Sequence, residues 1–305
     1  MDAVDFLLLK KLTANSRATF RELAVETGLS ASSVHKRVRV MTDLGIIRRF
    51  TASPTPKAVP HVCVCVCGTS EAAVPEEAAE RIGASPLTFR AMVASGNYLC
   101  VKGILRDISE MSRYVGFVIR EGSMKNPIYG LMDPVYTGPA APLSRIDYRI
   151  LASLQYDSRK DIADVAIELG ISAQTARRRL GQMEKSGLVN YSINYDLTPS
   201  GDIFAKMSLF VKSKLDRDAV ASQMLERYSD HVLYLTTYGT ISSLITIFIW
   251  TKTMASLRDL QDSLYSEDLF EKLVLDTPYK IYYFDTWLEA HVSARAVQPS
   301  PARSQ

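Results

Sequence analysis

Two short stretches of this 305-residue chain combine side chains able to read a polyanion. The first holds Ser32, Ser33, His35, Lys36, Arg37 and Arg39; the second holds Gln174, Thr175, Arg177, Arg178 and Arg179. Hydroxyls and amides hydrogen-bond base edges, and long cations neutralise phosphates or fork onto guanine, so the mixture fits a nucleic-acid surface. No carboxylate follows in either stretch until Asp43 and Glu184. Between the polar residues stand Val34, Val38 and Met41, or Ala176, Leu180 and Met183, at i, i+4 and i+7. That period is helical and gives each stretch an apolar underside beneath an outward polar face. Arg37 and Arg179 stand at the side of the helix, where a carboxylate such as Glu22, Glu26, Asp164 or Glu168 competes with a phosphate for them. A merely solvated face is the competing reading for the rest, and the surrounding elements decide between the two.

Those elements are legible. Residues 5–12 and 20–26 have amphipathic helical patterns, and Gly28-Leu29-Ser30 then makes a tight turn. Gly28 suits the left-handed position that ends a helix, and the Ser30 hydroxyl can cap the next one. Gly170 and Ser172 repeat both devices. Helix, short turn, helix is the helix-turn-helix arrangement, whose helix after the turn enters the major groove. Downstream, Gly45-Ile46-Ile47-Arg48-Arg49-Phe50 reads as a turn into a basic β-wing, which adds Arg48 and Arg49 to the candidate surface. The matching Gly187-Leu188-Val189-Asn190-Tyr191-Ser192 is uncharged, so the two surfaces are expected to bind differently.

The two stretches belong to an internal repeat. Residues 5–47 lie on residues 147–189 without a gap, and thirteen of these 43 positions are identical, among them Asp5 with Asp147, Ser16-Arg17 with Ser158-Arg159 and Arg37 with Arg179. After each front segment the pattern runs strand, helix, strand, strand, helix, strand. In the first copy the runs are residues 59–67, 75–82, 87–95, 98–105, 107–121 and 128–136; in the second they are 203–212, 217–228, 232–238, 243–250, 254–265 and 280–286. This is the ferredoxin-like βαββαβ order, with helices on one sheet face and the other left for a partner. The fold class is therefore α+β: winged helix-turn-helix domains at 1–53 and 143–197 alternate with ferredoxin-like domains at 58–138 and 202–291. Residues 292–305 read as a disordered tail.

Composition narrows the remaining classes. With 47% hydrophobic and 23% charged residues the chain is globular, and its net charge of +3 is concentrated at the front, where residues 1–53 hold nine Lys or Arg against five Asp or Glu. No apolar run approaches the roughly 18 to 20 residues of a bilayer helix, and the start lacks a signal-peptide pattern, so no membrane contact and a cytoplasmic, nucleoid-associated location are expected. Cys63, Cys65 and Cys67 alternate with valines, which puts three thiols on one strand face as small buried packing, with no metal expected. The sequence contains four histidines but no His-Glu-x-x-His, no Gly-x-Ser-x-Gly and no phosphate-binding glycine loop, so neither catalytic residues nor a cofactor are expected.

Both copies resemble the Lrp/AsnC (feast/famine) regulators. The resemblance rests on Asp147, Ser158-Arg159, Val165-Ala166, Gly170-Ile171-Ser172, Arg179 and Gly187-Leu188-Val189, and on Asp5, Ser16-Arg17, Leu23-Ala24, Gly28-Leu29-Ser30, Arg37 and Gly45-Ile46-Ile47. It implies a sequence-specific transcription regulator bound to double-stranded DNA, dimerisation through the sensor sheets, a homo-oligomer and a small-molecule effector. Family relatives bind amino acids near the turn between the middle strands, here Gly96-Asn97 and Gly239-Thr240; the acidic residue of the family pattern is absent from both. One chain is expected to pair its own two halves. Two other readings compete: a non-specific architectural DNA protein, and an enzyme like the sirohaem decarboxylases, which are similar in fold to this family.

Overall fold

The computed structural model describes residues 1–297. Short-range capping sets the start of each front segment. Helix α1 (Ala3–Ala14) opens on a capping box between Asp2 and Asp5, and α2 (Phe20–Thr27) on one between Thr19 and Glu22. Gly28 (φ 68°) turns the chain into α3 (Ala31–Asp43), which leads to strand β1 (Ile47–Pro54). Leu8, Leu9, Leu12, Leu23, Val34 and Met41 close the core of this body.

The first sensor module contains β2 (Val62–Ser70), α4 (Pro75–Gly83), β3 (Thr88–Ala94), β4 (Tyr98–Leu105), α5 (Met111–Glu121) and β5 (Met124–Leu131). The second winged helix repeats the first as α6 (Arg145–Leu154), α7 (Ile162–Leu169), α8 (Ala173–Lys185) and β6 (Val189–Tyr195). Then come β7 (Ile203–Val211), α9 (Arg217–Arg227), β8 (Val232–Thr237), β9 (Leu244–Thr251), α10 (Met254–Ser266), β10 (Phe270–Asp276), β11 (Pro278–Tyr283) and α11 (Trp287–Val297).

Both sensor modules have the expected βαββαβ order, with one difference. The fourth strand of the second module is β10, in the sheet order β10-β7-β9-β8, and not the 280–286 run. That later run is β11, which leaves its own module and pairs with β3, giving the first sheet the order β11-β3-β4-β2-β5. Alternation places Val64 and Val66 against the helices of the first module, while Cys65, Cys67, Met92 and Cys100 face Phe204, Leu233, Leu244 and Phe248 of the second sheet. The open face of each sheet is thus covered by the other copy in the same chain. Both edges of this sandwich are joined. On one side the chain passes directly from β10 to β11; on the other, Met132 bridges Tyr238, and Gly239 N–H donates to the Leu131 carbonyl at 3.0 Å.

Two further expectations are corrected. Cys67 and Cys100, directly opposed on β2 and β4, form a disulfide where free thiols were expected. The supposed tail begins inside α11, which a Thr286–Glu289 capping arrangement starts and which packs on α6; residues 298–305 of that tail lie outside the described residues. Trp287 Nε1 donates to the Ile104 carbonyl at 2.9 Å, and Gln155 Nε2 to Ser293 Oγ at 3.1 Å, so α11 ties the second winged helix to the first sensor module. No described helix is long and apolar enough to cross a membrane.

Candidate nucleic-acid interface

The two helices α3 and α8 are built alike. Ser30 Oγ accepts from Ser33 N–H at 3.2 Å and Ser172 Oγ from Thr175 N–H at 3.1 Å, each just after a left-handed glycine. Neither helix has an acidic residue in its first turn to offset the partial positive charge of its exposed N–H groups. Val34, Val38 and Met41 are buried beneath α3, and Ala176, Leu180 and Met183 beneath α8. Each helix rests on the two preceding helices and the following strand of its own body. Ser32, Ser33, His35, Lys36 and Arg39 stand exposed on α3, and Gln174, Arg177 and Arg178 on α8, with Thr175 half-buried. Lys36 and Arg177 have no ion-pair partner among the described residues, Arg39 makes only a 3.7 Å pair with exposed Asp43, and Arg178 reaches Gln182 at 3.4 Å. These side chains are available to a ligand.

Four other candidates are engaged by the protein itself. Arg37 donates to Asp2 and Asp5 at 2.8 Å each, and Arg179 holds Asp147 and Ser144. The partners are the capping residues of the first helix in each copy, not the glutamates and Asp164 considered from sequence. The bonds to Asp5 and then Asp2 push the Arg37 guanidinium pKa above its ordinary value. Arg48 and Arg49 do not form a free wing. Arg48 pairs with the buried carboxylate of Asp196 and donates to the Ile281 carbonyl at 2.8 Å; Arg49 bonds Asp285 at 3.1 Å and lies 4.8 Å from the centre of the Tyr156 ring. Strand β1 is paired antiparallel with β6, Ala52 opposite Tyr191, so the wings of the two copies form one ribbon.

The ribbon is part of a pseudo-twofold junction that sequence reasoning noticed as motif identity but gave no role. Ser16 Oγ and Ser158 Oγ meet at 2.6 Å, both buried. Arg17 donates across the junction to the carbonyls of Ser158 and Lys160, and Arg159 returns the bonds to Ser16 at 2.8 Å and Ala18 at 3.0 Å. Arg159 also covers the Phe20 ring at 4.4 Å and Phe50 at 5.5 Å. Burial lowers its pKa, and the like charge of Arg17 adds to that. A junction of carbonyls and aromatic rings fixes the two winged bodies, and so their outward helices, relative to each other.

The candidate effector turns meet different segments. Ser95, beside Gly96-Asn97, donates its N–H to the Thr277 carbonyl at 3.0 Å; Thr240 Oγ1 accepts from Leu131 N–H at 3.1 Å beside Gly239. Each turn thus seals the end of the other copy's fourth strand. Gly96 and Asn97 both take positive φ, 69° and 57°, which accounts for a glycine and an asparagine there without a ligand.

A family model described as winged helix-turn-helix DNA-binding matches residues 1–48 and 143–190, the two bodies that carry α3 and α8. The regulator Ptr1 of Methanocaldococcus jannaschii is 30% identical over 118 residues, which cover 38% of this chain and 79% of Ptr1. The chain belongs to the Lrp/AsnC family. LrpA of Mycobacterium tuberculosis is 40% identical over 62 residues, spanning 20% of this chain and only 41% of LrpA's own length. As a member of that family the chain carries the winged-helix unit twice. Over its whole length it matches the crystal structure of the sirohaem decarboxylase NirDL, with a TM-score of 0.60, 15% identity and coverage of 96% of this chain and 98% of that one. At that identity the likeness shows a shared fold.

Proposed function

We propose that the chain is a sequence-specific, non-enzymatic transcription regulator that binds double-stranded DNA as an intrachain pseudo-dimer. The observation that carries this reading is the pair of outward faces on α3 and α8. They are capped, cationic and free of carboxylates along the first turns, and they stand on bodies locked together by the Ser16–Ser158 junction. Ser32, Ser33, His35, Lys36 and Arg39 read one half-site, and Gln174, Thr175, Arg177 and Arg178 the other, in major-groove segments about 34 Å apart. Arg37 and Arg179 orient the helices from behind. The Gly96-Asn97 and Gly239-Thr240 turns are the entry points for a small-molecule effector, which binds by displacing the hydrogen bonds that seal them.

Footprinting of the strongest genomic site, followed by competition with random duplexes, tests the proposal. The expected site has two unlike halves protected by one chain. A strict palindrome with one chain per half overturns the intrachain pairing on DNA, and displacement by random DNA as effective as by the site itself supports an architectural protein instead. The full-length likeness to NirDL favours one second reading, a tetrapyrrole enzyme. Mixing the purified chain with an iron tetrapyrrole decides it: a saturable change in the pigment's absorption followed by loss of carboxylate from it supports the enzyme, and no change supports the regulator.

A further inference from the structure

Cys65, Cys67 and Cys100 face the second sheet from β2 and β4, and their Sγ atoms lie within 4.8 Å of one another. Cys65 Sγ is 3.4 Å from each of the other two, and all three residues are buried. Beside Cys65 and Cys67 is a cavity of about 10 Å³, also lined by Lys206, Tyr98 and Tyr238. That is room for a single water-sized body. Three thiolates around one cation at about 2.3 Å would stand roughly 4 Å apart, so the 3.4 Å contacts of Cys65 need a small opening and the bonded Cys67 and Cys100 sulfurs must separate on reduction.

Three cations stand near the sulfurs, although burial outweighs them at the free Cys65 thiol. Lys206 Nζ is buried, bonded to Asp276 and Ser208 at 3.0 and 2.9 Å, and Arg90 and Lys102 act on Cys65 from the same sheet. Burial pushes the Cys65 thiol up, and Lys206, then Tyr238, then the other two cations, draw it back. The second copy lacks the feature. Ser208 opposes Thr246 on β7 and β9 as Cys67 opposes Cys100 on β2 and β4, so hydroxyls replace the sulfur pair there.

We propose that, once the Cys67–Cys100 bond is reduced, Cys65, Cys67 and Cys100 form a trithiolate site for one soft divalent d10 cation of the zinc or cadmium class. Thiolate ligands select such ions. Opening the disulfide takes two electrons from a reductant of the phosphine or dithiol class and two protons, which water supplies when a phosphine becomes its oxide and the thiols themselves supply when a dithiol is oxidised. Binding then forms three S–metal bonds and releases three thiol protons, leaving a complex of charge −1 next to the Lys206–Asp276 pair, Arg90 and Lys102. Oxidation and metal loading exclude each other. Cys63 lies outside the trio, packed near Val59, Ile104 and Leu288, and serves as a control.

The test uses the full chain, reduced with a trialkylphosphine without oxygen and titrated with Cd²⁺ alone. One equivalent is expected to produce the ultraviolet thiolate-to-cadmium band. Cys65→Ser, Cys67→Ser and Cys100→Ser should each bind at least tenfold more weakly, while Cys63→Ser binds as the parent does. X-ray absorption of the loaded parent chain needs no variant and should count three sulfur neighbours. No stoichiometric band, fewer than three sulfurs, a parent-like Cys65→Ser or loss of binding in Cys63→Ser overturns the proposal. The result is independent of DNA binding.

Discussion

The two winged helices differ along their outward faces and agree in the serine–arginine junction that joins them. Ser16 and Arg17 are answered by Ser158 and Arg159 in a reciprocal set of bonds, and Arg37 with its aspartates by Arg179 with Asp147. On the outward faces, Ser32, Ser33, His35 and Lys36 are answered by Gln174, Thr175, Arg177 and Arg178, with no residue in common. Identity between the copies therefore marks the scaffold, and divergence marks the surface left free to address different ligands. The same contrast separates Arg37 and Arg179 from the candidate DNA contacts, since their sameness follows from the capping carboxylates they hold.

The comparison can be broken most decisively on DNA. Replacing Gln174, Arg177 and Arg178 together with alanine removes one of two tethered readers, and affinity should fall on the order of 10² to 10⁴. Fluorescence anisotropy on the native site and on a site with its second half scrambled measures this. If the triple variant still prefers the intact second half, α8 does not read it.

Next in size is the difference between the two aspartate pairs. Asp147 is buried beneath a quarter-exposed Arg179, whereas Asp5 and Asp2 share an Arg37 that is a third exposed. Asp147→Ala should cost about 1 to 3 kcal/mol and Asp5→Ala under about 1 kcal/mol, after allowing for solvent screening. Denaturant melts of the two variants compare them, and equal losses would show that burial is not the distinguishing factor.

Smaller again is the junction. Ser16→Ala and Ser158→Ala should each destabilise by about 0.5 to 1.5 kcal/mol, and the double variant by little more than either alone, because one shared hydrogen bond is lost. Full additivity in that cycle would mean that the hydroxyls act separately. The least effect belongs to single cations: Lys36→Ala should lower the salt dependence of DNA binding by about one phosphate's worth, with Arg37→Ala leaving it unchanged. Binding at several salt concentrations distinguishes the two.

Much of this was readable from residues. The repeat, both helix-turn-helix units, the outward faces and the βαββαβ order rest on local periods and caps, which a chain carries in its own neighbourhood. Partners distant in sequence were not readable. The 280–286 run shows strand character but nothing about which sheet receives it, because a period of two fixes faces and not neighbours. Arg48 and Arg49 looked like a free basic wing because Asp196 and Asp285 are brought to them only by β6 and the segment after β11. Cys100 could not be joined to Cys67 before the strand register was known. One missed signal was local: Thr286-Trp287-Leu288-Glu289 is a capping sequence followed by apolar residues at helical spacing, and it announces α11, which runs on into the segment read as a tail.

The exchange of β11 also orders events during synthesis. Ser95, at the end of β3, bonds Thr277 across 182 residues, and β3 has no neighbour on that side until β11 arrives. While the ribosome makes the intervening winged helix and second sheet, the first module waits with a bare row of amides and carbonyls, the kind of edge that recruits stray strands. Nascent chains stalled before Thr277 should accordingly be the species most dependent on chaperones, and completing the final strand and α11 acts as the latch that ends that exposure.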